Sequence, residues 1–265
     1  MIHVKATNTE EKYSGVATYE SAPPSTRPAH CRSCAQCQTE AFAVLLTGLQ
    51  PKVVDYLDQQ RSTQYYPKGS FLYRQGDTSR GVFCVNRGRI KVCCSHPCGK
   101  IPILRVVCAG EFLGIPSFMG PELHTNSAEM LTPGQVCHIP AHALQTAIEW
   151  DPRLALNFAR CLANELNQFE RRIVAMSCLT APARIASLLL ELQVDHPRDD
   201  GPILPLSRLE MALLAGTTVE SVSRLLNRLG REGILRLSAR SIFIQDAQAL
   251  QAYIASCTEH PANAS

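Results

Sequence analysis

The chain is expected to be an α+β protein: a small β-roll, then one long helix, then a winged helix-turn-helix. Three observations predict this. Between Tyr65 and Pro140 short β-rich runs (FLYRQGD, GVFCVNRGRIKVCC, IPILRVVCAGEFLG, GQVCHIP) are cut by Gly and Pro, the texture of strands every few residues. From about Leu154 to Met176 apolar residues recur at helical spacing, and from Ser207 to Leu235 two helical patterns meet at Gly216 and Thr217. A length of 265 residues is roughly two domains' worth and needs no staples to fold.

Composition narrows the class. Hydrophobic residues make up 45% and charged residues 18%, with a formal charge of +3, so a wholly basic nucleic-acid coat is excluded while a local basic patch is not. No run approaches the ~18 apolar residues of a membrane helix, and residues 1–30 lack the basic start and apolar stretch of a signal peptide. The expectation is a cytoplasmic protein with no membrane partner.

In chain order, residues 1–30 are polar and aperiodic and read as an unstructured arm. Residues 31–150 form a cysteine-bearing sensor roll, entered through a short helical pair over Thr39 to about Gln60, where Phe42, Leu45, Leu46, Leu49, Val53, Val54 and Leu57 supply the apolar positions. Residues 151–180 carry a stripe of Phe158, Leu162, Leu166, Phe169, Ile173 and Met176 at intervals of 4, 4, 3, 4 and 3. Such a heptad-like stripe needs a partner, either the chain's own β-roll or a second copy of the chain, and a dimer seam is the expectation. Phe169, uncharged in mid-stripe, implies a homodimer that persists whatever the state of the sensor. Residues 181–250 form the second domain, and 251–265 are read as a tail.

Within that second domain Ala212 is small where two helices cross, Gly216 takes the turn and Val222 packs the second helix back. Thr218 is the expected N-cap, so Glu220, Ser223 and Arg224 fall in the first two turns, where a recognition helix meets base edges. Arg224 can fork onto guanine O6 and N7, Glu220 can accept from cytosine N4, and Ser223 can approach a base or a thymine methyl. From Arg208 to Arg240 six arginines face three acids, so Arg228 and Arg231 are expected on phosphate. The segment after Gly233, ILRLSARSIFIQD, reads as the wing. Double-stranded DNA is the implied partner.

Twelve cysteines are an excess that, in a reducing compartment, points to metal or redox chemistry. Cys31, Cys34 and Cys37 present three thiolates at C-x2-C-x2-C, the local arrangement that ferredoxins use for a [4Fe–4S] cluster. Zinc or a redox-active Cys-x-x-Cys pair suits the same spacing. Cys84, Cys108, Cys161, Cys178 and Cys257 read as core packing, and Cys93, Cys94 and Cys98 bracket a Ser95-His96-Pro97 hairpin tip that reads as an exposed turn, with adventitious metal or a thiol pair as the alternative. No Walker loop, nucleophile elbow or HExxH is present, so an enzyme is not expected.

A roll, a seam helix and a winged helix-turn-helix in this order, with GDTSRGVFCVNRGRIKV, AGEFLG and TVESVSRLLNRL, resemble the CRP/FNR family of bacterial transcription regulators over about Gln38 to Leu250. The resemblance implies a cyclic-nucleotide-binding-like roll and a dimer reading an inverted repeat, with RNA polymerase as the partner for activation. Val219-Glu220-x-x-Ser223-Arg224 is similar to the FNR branch, which reads a TTGAT half-site; the cAMP-receptor branch has Arg and Gly where this chain has Val219 and Ser223. Cyclic-nucleotide relatives carry a Glu beside the glycine-bearing F-x-G segment and an Arg in Arg-Ser-Ala, whereas this chain has Ile115 and Asn126, so both groups that hold the nucleotide are missing. GQVCHIP resembles the strand that brings the remote cluster cysteine in FNR. The resemblance therefore implies Cys137 as fourth ligand with Cys31, Cys34 and Cys37, although the FNR pattern has a longer gap before its third N-terminal cysteine. The implied function is oxygen or redox sensing through a [4Fe–4S] cluster. A thiol, zinc or haem sensor on the same scaffold, or a metal-thiolate redox protein with a coincidental helix-turn-helix, remain the alternatives.

Overall fold

The computed structural model describes residues 44–99, 101–194, 206–238 and 241–258. Cys31, Cys34 and Cys37, the expected arm 1–30 and Arg240 lie outside the described residues. After a helical turn at 44–46 come α1 (Pro51–Gln60), β1 (Ser62–Tyr66), β2 (Phe71–Tyr73), β3 (Gly81–Arg87), β4 (Ile90–Cys93), β5 (Ile103–Val107) and β6 (Phe112–Leu113). The roll continues through α2 (Ile115–Met119), β7 (Ser127–Met130), β8 (Gly134–Pro140) and α3 (Ala141–Trp150). Then follow the long α4 (Arg153–Cys178), α5 (Ala181–Val194), α6 (Arg208–Ala215), α7 (Val219–Arg231), the hairpin β9 (Leu235–Ser238) and β10 (Ser241–Ile244), and α8 (Ala247–Thr258).

Two four-stranded antiparallel sheets, ordered β1-β8-β3-β6 and β2-β7-β4-β5, face each other. Successive strand residues point to opposite faces, and in the first sheet both faces are covered. Phe83 and Val85 of β3 and Val136 of β8 enter the cluster between the sheets with Ile90, Val92, Val107 and Met130. Their neighbours Val82, Cys84, Cys137 and Ile139 turn the other way, onto Val53 and Leu57 of α1, Leu144 of α3 and Leu154 and Phe158 of α4. This is why GVFCV is apolar without alternation: a strand buried on two sides has no solvent face.

The long helix is anchored at its start. Asp151, 2% exposed, accepts from Arg153 Nε and Nη2 at 2.8 Å each and from the Gln50 backbone N–H at 3.0 Å. The Arg153 guanidinium, helped by these backbone donors, holds the carboxyl down to about 2. One turn on, the buried Asn157 donates Nδ2 to the carbonyls of Leu45 and Thr47 at 2.8 and 3.0 Å, so the chain entering α1 is tied to α4.

Two expectations are corrected. Phe158, expected in the dimer seam, is wholly buried in its own protomer, its ring 5.7 Å from that of Phe118; Leu162 packs half-buried against the same cluster. The first turns of α4 are a wall of the roll, and only the later ones are free to be a seam. Residues 251–258, expected as tail, belong to α8, which lies against α5 through Leu250 and Tyr253.

Core and seam positions separate experimentally. Phe158→Ala should lower stability by about 3–5 kcal/mol at every protein concentration in urea unfolding. A loss that shrinks as protein is concentrated would instead mark Phe158 as an interface residue.

Candidate nucleic-acid interface and thiolate site

The second domain is built on two capped helices. Ser207 Oγ accepts from the Glu210 N–H at 3.1 Å while Glu210 Oε2 accepts from the Ser207 N–H at 2.9 Å, a capping box that starts α6. Gly216 ends it in the left-handed conformation at φ 58°, where a side chain would be strained. Thr218 then caps α7, its Oγ1 accepting from Ser221 N–H at 3.2 Å. Val222, Leu225, Leu226 and Leu229 bury one face of α7; Glu220 and Arg224 stand on the other, both largely exposed and 2.6 Å apart. Arg208 Nη1 donates to Ser223 Oγ at 3.1 Å. Glu220, Ser223 and Arg224 thus share the open face of the second helix, the place from which a recognition helix reads a major groove. Arg228, farther along, pairs with Glu232 at 2.8 Å and lies over the Tyr253 ring, beside the wing side of the domain. The structure brings Thr218, Glu220, Ser223, Arg224 and Arg228 onto one helix.

Other residues of this unit carry no local sequence signal. Arg184 of α5 donates to the carbonyls of Ala215, Gly216 and Leu179 at 2.8, 3.1 and 2.7 Å, satisfying the open end of α6. Lys91 of β4 reaches Glu129 at 3.1 Å and Glu210 at 3.3 Å, and Arg172 of α4 joins the Leu104 carbonyl to Glu191. Ile103 and Leu131 of the roll sit in the core of the winged domain. Only proximity in the fold gives these residues their roles.

On α4 most side chains beyond Leu162 are exposed, among them Leu166, Ile173 and Met176 of the expected stripe. Ala159, Ala163, Leu166, Glu170, Ile173 and Ser177 are all exposed, at intervals of 4, 3, 4, 3 and 4, with Leu166 58% and Ile173 64% accessible. Phe169 is half-buried and, with Met176, lines a cavity of about 250 Å³ shared with Leu104 and Leu213. Phe169, expected in mid-stripe, is half-buried, while its neighbour Glu170 is exposed.

In the roll, Cys137 is 3% exposed. Thr63, its register partner on β1, places Oγ1 3.1 Å from Sγ, Asn86 Nδ2 donates at 3.2 Å and Arg61 Nη1 at 3.4 Å. The sulfur thus has a guanidinium, an amide and a hydroxyl within hydrogen-bond distance. Cys84 stands directly opposite on β3. The groups at the positions of a nucleotide pocket are occupied differently. Ile115 is buried against the helices, and Asn126 Oδ1 accepts from Tyr73 OH at 3.3 Å, while Tyr73 stacks on His124 at 3.7 Å. Burial pushes the Tyr73 hydroxyl well above its ordinary value. A cavity of about 200 Å³ between β5, β6 and α4 has Arg105 in its lining, paired with Glu165 at 3.0 Å and Glu111 at 3.6 Å.

Comparison with known proteins agrees with this architecture. Residues 63–151 match the cyclic nucleotide-binding domain model and residues 183–253 the Crp-like helix-turn-helix domain model. The chain is 29% identical over 83% of its length to the transcriptional activator protein anr of Pseudomonas aeruginosa, covering 90% of it. It is 28% identical over 78% of its length to the cyclic AMP receptor protein of Thermus thermophilus, covering 94% of it. Among solved structures, FixK2 from Bradyrhizobium japonicum superposes with a TM-score of 0.67 at 26% identity, over 76% of this chain and 99% of that one. Among the described residues no helix is long and apolar enough to cross a membrane. With the roll, the long helix and the capped recognition helix in the family's order, the chain belongs to the CRP/FNR family of DNA-binding transcription regulators.

Proposed function

We propose that the chain is an FNR-type regulator that senses oxygen or redox state through a [4Fe–4S] cluster and reads a TTGAT-type inverted repeat as a homodimer. The observation that carries this reading is the Cys137 sulfur, buried yet accepting from Arg61 and Asn86 and within hydrogen-bond distance of the Thr63 hydroxyl. These polar groups stand beside the apolar cluster that Cys137 shares with Val53 and Leu57. Cys31, Cys34 and Cys37 supply the other thiolates. Leu45 shares a buried cluster with Cys137, and the seven peptide links from Cys37 to Val44 span at most about 25 Å when extended, a reach compatible with bringing the motif to that sulfur. When bound, the cluster supplies an oxidant-labile centre; Arg61, Thr63 and Asn86 hold the sulfur that ligates it.

A cyclic-nucleotide signal, the ligand in the name of the Thermus relative, finds less support. A buried cyclic phosphate left without a cation is prohibitively costly, and Ile115 and Asn126 carry no charge. Arg105, the cation of the nearby cavity, already has two carboxylates.

Signal reaches DNA through α4. Two copies joined along Leu166, Glu170 and Ile173 would set two α7 helices about one DNA turn (~34 Å) apart in opposite senses, so the operator is an inverted repeat. RNA polymerase is the partner when such a dimer activates.

Iron and sulfide analysis with the visible spectrum of anaerobically purified protein tests the sensor. A broad brown band is expected, lost in Cys31→Ser, Cys34→Ser, Cys37→Ser and Cys137→Ser but kept in Cys161→Ser; a full iron complement in Cys137→Ser refutes the ligand set. Binding selection on random duplexes tests the reader. Arg224→Ala should lose about 1–3 kcal/mol of preference for the half-site guanine, whereas Arg231→Ala should weaken all sequences alike and flatten the salt dependence. Sedimentation tests the seam. Burying an unpaired Glu170 costs several kcal/mol, so Glu170→Leu should tighten the apo-protein dimer, and an unchanged monomer–dimer equilibrium contradicts the register.

A further inference from the structure

The hairpin joining β4 to β5 carries thiol chemistry that the sensor reading leaves unused. Its tip, Cys94-Ser95-His96-Pro97-Cys98-Gly99, is closed by the Gly99 N–H donating to the His96 carbonyl at 2.9 Å. Gly99 takes φ 79° there, which glycine adopts at little steric cost. Below the tip, Gln75 grips Ser95 from both sides, accepting from its N–H at 2.7 Å and donating to its carbonyl at 3.4 Å. The turn is thus held in shape by contacts that do not involve the cysteines.

Inside it, His96 Nδ1 lies 2.9 Å from Cys98 Sγ, and the Cys98 backbone N–H donates to the same nitrogen at 3.3 Å. A ring nitrogen that accepts from a backbone N–H presents its lone pair to the turn, so the thiol proton faces a base. A thiol beside an acceptor imidazole is the arrangement that yields a nucleophilic thiolate. Cys98 is exposed, and Cys94, on the same tip, is half-buried, its sulfur 3.7 Å from the Thr125 carbonyl. Cys178, at the end of α4, is equally exposed but has no histidine partner among the described residues, and so offers an internal comparison.

We propose that Cys98, with His96 as proton acceptor and Cys94 as resolving thiol, is a peroxide-reactive modification site on the roll. The Cys98 thiolate attacks one oxygen of hydrogen peroxide; an S–O bond forms as the O–O bond breaks, and the departing hydroxide leaves as water with the imidazolium proton. The Cys94 thiol then attacks the sulfenic sulfur, forming S–S as S–O breaks and releasing a second water. Two thiols lose two electrons in total and one peroxide gains them. The site shares no residue with the four proposed cluster ligands and does not depend on them. It sits on the hairpin whose strands carry Lys91 and Ile103 to the winged domain.

The test is peptide mapping of the purified full-length chain after limiting hydrogen peroxide and alkylation. Wild type should yield a Cys94–Cys98 disulfide, formed several-fold faster than any oxidation at Cys178. Cys94→Ser should accumulate a sulfenic acid at Cys98 that dimedone captures. His96→Leu should slow Cys98 to the rate of Cys178 while leaving Cys178 itself unchanged. Equal rates at Cys98 and Cys178 in wild type, an unaltered Cys98 rate in His96→Leu, or a sulfenic acid that persists in wild type beside an unreacted Cys94 would each overturn the assignment.

Discussion

Double-sided burial of the β3–β8 pair sets the terms for the rest of the molecule. One face of the pair fills the space between the two sheets, and the other receives α1, α3 and the start of α4. At roughly 25 cal/mol per Å² of buried apolar surface, neither face can be given up. A fixed register follows, because a slip of one residue would exchange the faces. Cys137 therefore has a determined place: on the helix-side face, between Thr63 on one neighbour and Cys84 on the other. The same face captures Leu154 and Phe158, so the long helix leaves the roll in one direction, and its later turns project as an exposed stripe.

The contact between the roll and the winged domain mixes two kinds of force with different duties. Ile103 and Leu131 insert into the winged core, and Val106 packs against it. Ion pairs such as Lys91 with Glu210 surround this contact. This pair is itself largely buried, where desolvation offsets much of its attraction, so the apolar contact supplies most of the adhesion. The pairs supply direction, since Glu210 already serves the capping box of α6 and Arg184 closes the other end of that helix. The two ends of α6 are thus tied to the roll through Lys91 and to α5 through Arg184.

In the domain that matches the cyclic nucleotide-binding model, the cavity residue Arg105 pairs with both Glu111 and Glu165, and Tyr73 stacks on His124. The roll is kept while the uncharged Ile115 and Asn126 stand at the positions where the resemblance implies charged nucleotide-binding groups. This is what is expected when one scaffold serves several signals: the fold is kept by its core and the ligand by a few side chains.

By itself the sequence determined the order of units and the recognition helix. Strand texture between Tyr65 and Pro140, the period of α4, and the local grammar of Ser207, Gly216 and Thr218 are short-range properties, set by side-chain sterics and caps within a few residues. It did not determine which face of α4 is free. Phe158 and Leu166 follow one periodic pattern, yet the first meets Phe118 in the roll and the second meets solvent. Nor did it pair Cys137 with Thr63, Asn86 and Arg61, or Arg184 with the end of α6. These contacts join residues far apart in the chain, and only the packing of both sheet faces brings them within hydrogen-bonding distance.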